Sequence, residues 1–362
     1  MKMHKSLSTV ALAAASFCVV NVAHAQVIDI KDGGFSFTFG GQINRGILSV
    51  DDGVDTREFS VDNDNSSTRL RARAAYSFGD YVVGGQIEYE FEFSSTAAVN
   101  QLNSDVSSSV ANERKFELFA ETPYGNFAYG QGDTASNGTS EVDLSGTTVV
   151  GYSGVSDLAG GILFRDQAGA LTTQRIGGNF SNLDGNSRQE RFRYDTPVFA
   201  DGVVVSVSFG EDSRNGIALR YKNDFGDFAF SGALSYNERE GADRVNGSAS
   251  VLHNPTGVSF TFASGEDSLD NSDQDPSFYY VKLGYERDFF KFGSTAFSVD
   301  YYDGSDISSL GSDSDSFGLL AVQNIDRHNL EVYAGYRSYS ASAATADFQD
   351  IDALLVGARF KF

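Results

Sequence analysis

Three arginines stand at every second position in "STRLRARAAYSF", residues Ser67 to Phe78. Arg69, Arg71 and Arg73 therefore share one face of a strand, and Leu70, Ala72, Ala74, Tyr76 and Phe78 share the other. A row of guanidinium groups can bind anions, order water or balance carboxylates. If Gly79 and Asp80 make a two-residue turn, Phe78 pairs with Tyr81. Arg69 then opposes Glu90, Arg71 opposes Glu88, and Arg73 opposes Gln86. Cross-strand pairs of this kind contribute roughly 0.2–1 kcal/mol each. The row reads equally as ion pairs holding the register of a wet wall and as a cluster that sets a local field, and the two roles are compatible. A lipid-facing row is excluded by its cost, roughly 2–4 kcal/mol per arginine at mid-membrane depth.

Other groups support less chemistry. The only histidines after residue 25 are His253 and His328, both beside short turns and neither with an orienting carboxylate on a neighbouring strand. A hydrolytic Ser/His site is therefore a poor reading. "DNDNSS" from Asp62 has the first alternating ligands of a calcium loop without its central glycine or terminal glutamate. The Asp-rich segments are expected to be solvated, with divalent cations bridging them to anionic lipid headgroups as the nearest approach to a cofactor.

Those side chains need elements to position them. Lys2 and Lys5, an apolar run from Leu7 to Val22 and the small residues of "AHA" predict a cleaved export signal over residues 1–25. The single cysteine, Cys18, lies within it, so the remaining chain has no thiol chemistry. Without Lys2 and Lys5 the formal charge moves from −22 to −24, which disfavours nucleic acid as a partner. No stretch reaches the roughly 18 apolar residues of a spanning helix.

From Phe35 onward, about sixteen runs of roughly ten residues alternate apolar and polar, separated by turn chemistry. The connections alternate too. Short ones such as "GD" at Gly79 and "NPTG" at Asn254 alternate with mostly longer, Asp/Ser/Asn-rich ones such as "DDGVDTREFSVDNDNSS". That order predicts an all-β, antiparallel, up-and-down barrel with two unlike rims. Sixteen strands enclose too wide an interior for side chains to fill, so the apolar face must point out to lipid and the polar face in to water. A large secreted β-sandwich is the competing architecture. The final run "LLVGARFKF" puts Phe360 and Phe362 on the apolar face and is expected to close the barrel against the first strand.

The segments "TRLRARAAYSFGDYVVGGQIEYEFEF", "PYGNFAYGQGD", "RFRYDTPVFADG" and the terminal "GARFKF" resemble the general porins of Gram-negative outer membranes. The resemblance implies a homotrimer of sixteen-stranded transmembrane barrels in the outer membrane, each a pore for small hydrophilic solutes. It implies contact with lipopolysaccharide, and recognition of the C-terminal strand, Phe360 and Phe362 included, by the barrel-assembly machinery. It also implies a third external loop, about 132–189, folded inward to narrow the pore. The loop's first half carries the acids Asp133, Glu141 and Asp143, of which Glu141 and Asp143 fall where the family keeps its loop carboxylates, although its frequent Pro-Glu-Phe-Gly-Gly segment is absent. On the facing wall the resemblance assigns Arg69, Lys115 and Arg193, with Arg71 and Arg73 adding charge. Gln131 stands where many members carry arginine.

Weak cation selectivity is the expected balance of acidic loops against these cations. A substrate-specific sugar or anion channel is the alternative, and it requires an aromatic slide or a basic ladder. Tyr280, Tyr302, Tyr333 and Tyr339 point inward by alternation. An outer-membrane hydrolase is the third reading.

Overall fold

The computed structural model describes residues 26–106 and 111–362. The expected export signal lies outside them. A hairpin opens the chain, β1 (Gln26–Asp32) and β2 (Phe35–Asp51). The next wall strand is split into β3 (Thr56–Asp62) and β4 (Arg69–Phe78), both paired to β2. Then come β5 (Tyr81–Glu90), β6 (Asn112–Thr122) and β7 (Gly125–Asp133).

Residues 134–187 leave the wall and carry a small hairpin, β8 (Leu163–Arg165) and β9 (Leu171–Arg175), and one helical turn, α1 (Ile176–Asn179). The wall resumes with β10 (Arg188–Asp195), β11 (Val203–Gly210), β12 (Asn215–Phe225) and β13 (Phe228–Arg239). It continues through β14 (Ala242–His253), β15 (Val258–Leu269), β16 (Ser277–Phe290) and β17 (Gly293–Ser305). The chain ends with β18 (Asp313–Ile325), β19 (Leu330–Ala343), the short β20 (Ala346–Asp347) and β21 (Ile351–Lys361).

All wall pairings are antiparallel, and β21 pairs with β2 to close the cylinder. Counting β3 with β4 as one strand, and β1 as the lower continuation of β21 along β2, gives a closed barrel of sixteen strands. The terminal residue takes part in the closure. Phe362 N–H donates to Gly41 O at 3.0 Å, and Gly41 N–H donates to Phe362 O at 2.7 Å.

The alternation works as the face argument requires. On β13 the outward Phe228, Leu234 and Tyr236 are exposed, while the inward Ser235 and Asn237 are buried. This inversion of the usual burial rule suits a cylinder with lipid outside and polar groups within. Gly79 and Asp80 form the tight β4–β5 turn, with Gly79 at φ +59°, a conformation glycine adopts without cost.

Two expectations need correction. "TREFSVD" sits inside what reads as an external loop, yet it forms β3 on the upper half of β2. Asp133, expected in the loop, is the last residue of β7.

Candidate functional site

The inward face of β4 to β12 is the most highly charged part of the wall. Register pairs Arg69 with Glu90, Arg71 with Glu88 and Arg73 with Gln86. The side chains reach beyond their direct partners. Glu88, almost fully buried, receives Arg71 at 2.7 Å, Arg114 at 2.8 Å and Arg69 at 3.8 Å. Arg114 also binds Glu90 at 2.5 Å. Arg73 passes Gln86 and binds Glu121 on β6 at 2.7 Å, with its guanidinium 4.2 Å above the ring of Phe119. Gly84 makes room for that ring, since a Cβ there would meet Ala74 O at 2.2 Å and Phe119 at 2.5 Å.

The row continues round the wall. Lys115 and Arg188 share Asp133, the latter at 2.9 Å. Arg191 binds Glu117, and Arg193 binds Asp195 at 3.0 Å and the carbonyl of Thr134 at 2.9 Å. Arg220 donates to Asn137 O at 2.9 Å and pairs with no carboxylate among the described residues. On this wall Arg69, Arg71, Arg73, Arg114, Lys115, Arg188, Arg191, Arg193 and Arg220 outnumber Glu88, Glu90, Glu117, Glu121, Asp133 and Asp195 by three.

Residues 134–187 leave the basic wall beside β11 and cross to the inner wall of β14 to β19, fixed strand by strand. Ala135 N–H donates to Ser208 Oγ on β11 at 2.9 Å. Val142 and Leu144 N–H donate to Ser248 and Ser250 Oγ on β14 at 2.9 and 3.0 Å. Lys282 on β16 binds Asp143 at 2.7 Å and Gly151 O at 2.8 Å, and Tyr339 on β19 donates to Val155 O at 2.7 Å. An apolar cluster backs these bonds: Phe180 lies 5.5 Å from Tyr302 and 5.2 Å from Tyr339, ring to ring. The inward tyrosines Tyr280, Tyr302, Tyr333 and Tyr339 are therefore buried. All four belong with Phe180 to the core that anchors the loop, and do not form an open slide.

The loop carboxylates differ in their surroundings. Asp143 is buried against Lys282. Glu141 is half-buried and accepts Asn182 Nδ2 at 3.2 Å. Burial, with Asp184 and Asp157 near, pushes its carboxyl up to about 8, against the pull of Arg188. Asp184 accepts Gly138 N–H at 2.6 Å and Ser140 N–H at 3.0 Å, and burial still raises it. Asp157 accepts the Tyr152 hydroxyl and is raised by burial to about 6. Asp64 and Glu92 extend this acidic side. Burial raises Asp64 to about 6, with Asp157 adding to the effect, and raises Glu92 to about 9, helped by its hydrogen bond with Asp64. In "DNDNSS" the first two side chains serve the backbone, with Asp62 Oδ1 accepting Thr68 N–H at 3.0 Å. Asn63 caps Asn65 N–H at 3.1 Å and donates to Val149 O at 2.8 Å.

Several of these residues escape the sequence reading. A bulge opposite Glu88 and Tyr89 turns both Arg114 and Lys115 inward, which strict alternation forbids. Arg191 shares the parity of Arg193, a signal that was present. Gln131 pairs with the exposed Phe116, so it lies on the outward face and is not a thinned member of the basic cluster.

Comparison with solved structures supports the fold. The anion-selective porin from Comamonas acidovorans superposes with a TM-score of 0.62 at 16% identity, covering 91% of this chain and 100% of that one. In-vitro folded OmpT, an outer membrane protein of Vibrio cholerae, gives 0.61 at 15% identity over 92% and 99%. Salmonella typhi OmpF, in complex with daunomycin, gives 0.59 at 13% over 92% and 100%. No curated protein sequence matches the chain. The model of the Gram-negative porin family matches residues 8–344. A sixteen-stranded barrel with a charged inner face, matched to that family over most of its length, places the chain in the Gram-negative porin family, as an outer-membrane channel for solute diffusion.

Proposed function

We propose that the channel passes small hydrophilic solutes and ions through a constriction between the loop carboxylates and the basic wall, with weak preference for cations. The observation that carries this reading is the division of charge. The β4–β12 wall holds a surplus of cations, and the loop that carries Glu141, Asp157 and Asp184 is pinned to the other wall by Lys282, Tyr302 and Tyr339. Glu141 lies within Coulombic reach of Arg188, and Asp64 within reach of Arg114. Facing rows of opposite charge order water between them. A small polar solute replaces those hydrogen bonds, and an apolar one loses them. The acidic external loops tilt the ion balance towards cations. No catalyst is required: His253 Nδ1 pairs with Thr256 at 2.7 Å, and His328 lies in the turn between β18 and β19.

In this reading the barrel works as a homotrimer. One solved neighbour is a trimer form of Vibrio cholerae OmpT. The terminal Phe360 and Phe362 serve as the strand signal for the assembly machinery, and divalent cations bridge the acidic external loops to lipopolysaccharide phosphates. The substrate-specific reading loses support because its four tyrosines are buried in the core that anchors the loop.

The test is the zero-current potential of purified protein in a planar bilayer under a salt gradient. Stepwise conductance with a modest cationic potential is expected. Saturable conductance with one competing sugar would favour the specific channel instead.

A further inference from the structure

Inside the external mouth, a pocket of about 290 Å³ lies between the loop and the rim of β13–β15, away from the basic row. One end is charged. Asp267 on β15 receives Arg244 on β14 through two bonds of 2.5 and 2.8 Å, and Arg239 at the end of β13 binds the same carboxylate. Two guanidinium groups thus share one carboxylate, which leaves one positive charge. Arg244 is further fixed by the carbonyls of Asp184 and Gly185, each at 3.2 Å. Arg239 is not: its side chain is 31% exposed, and its remaining nitrogens make no hydrogen bond among the described residues. Phe180, Leu183, Leu269 and Ile307 give the pocket an apolar side, and Ser181 and Gln274 add neutral polar groups.

We propose that this pocket binds a small organic monocarboxylate with a compact apolar body, its carboxylate on Arg239 and its body against Phe180, Leu183, Leu269 and Ile307. A guanidinium with free nitrogens matches a carboxylate in fork geometry. The volume lies at the small end of ligand pockets, which suits a single ring or short chain. Only one positive charge is in surplus. Asp270, Asp273, Asp275 and Asp306 stand in the surrounding loops, so di- and trianions are repelled. This deepens the channel reading by naming a solute class held at the mouth before the constriction.

The experiment is calorimetric titration of the detergent-folded full chain with benzoate, using benzyl alcohol as the body without charge and acetate as the charge without body. Saturable benzoate binding is expected, with both controls at least about tenfold weaker. Arg239→Gln should weaken benzoate about tenfold while the folded barrel's gel mobility and ligand-free conductance stay unchanged. Ile307→Glu, in the loop between β17 and β18, should abolish benzoate binding while the barrel keeps its folded gel mobility. Benzoate binding no tighter than acetate, or unchanged binding in both variants, overturns the proposal. Calorimetry reads binding without conduction. A chain that binds benzoate and conducts nothing contradicts the channel reading and leaves this one standing.

Discussion

Glu88 holds three guanidinium groups at once, and its carboxylate is buried while Arg71 stays partly in water. Removing its charge leaves Arg69, Arg71 and Arg114 without their common partner. Breaking a buried pair costs roughly 3–5 kcal/mol, and the low end applies here because water reaches Arg71. Glu88→Gln should therefore lower the temperature at which the barrel loses its compact gel mobility and move the zero-current potential towards anions; unchanged values in both would show that the three cations are balanced elsewhere. Glu141 makes a second prediction. With its carboxyl raised to about 8, it is mostly protonated at neutral pH and gains charge as pH rises. Glu141→Gln should remove much of the increase in cation preference between pH 7 and 9, read as the slope of zero-current potential against pH. The opposed charges of β4 and β5 were legible in the sequence because a two-residue turn fixes the register. The sharing of Glu88 was not, since Arg114 reaches it only through a bulge that breaks the alternation.

At the scale of elements, the long segment 134–187 is held by side chains of the wall that the sequence presents as ordinary polar alternation: Ser208, Ser248, Ser250 and Lys282. Lys282 is the strongest of these, a buried ammonium joining Asp143 and Gly151 O. Lys282→Met keeps the bulk and leaves Asp143 buried without a cation. Noisier and larger single-channel currents are expected, from a loop that leaves the wall, and currents as quiet as wild type would place the anchor in the Phe180–Tyr302–Tyr339 cluster alone. The sixteen runs were readable wherever lipid touches one face and water the other. β3 was not, because it is acidic and lies beside a turn, where Asp and Ser mark a loop as readily as a strand. The upper ends of β15 and β17, "GEDSL" and "DGS", escape for the same reason: a strand wet on both faces has no apolar alternation to declare it.

For the whole molecule, a formal charge of −22 on the full chain coexists with a cationic stripe inside it. The overall sign was legible from composition. The position of the stripe needed the barrel, which brings β4, β6, β10 and β12 onto one inner surface. The balance between stripe and loop depends on pH. Asp64 and Asp157, raised to about 6, and Glu141 and Glu92, raised to about 8 and 9, are neutral below those values and charged above them. The guanidinium groups stay charged throughout. As pH falls from 9 to 5 the acidic side loses charge and the basic side keeps it, so cation preference must decline. The most direct measurement is the zero-current potential of single channels in a planar bilayer under a fixed salt gradient, taken from pH 9 to pH 5. Stepwise channels with a cationic potential at pH 9 that moves steadily towards the anionic side are the predicted result. Conductance whose potential does not change with pH, or an anionic potential already at pH 9, would contradict the opposed rows of charge on which the account rests.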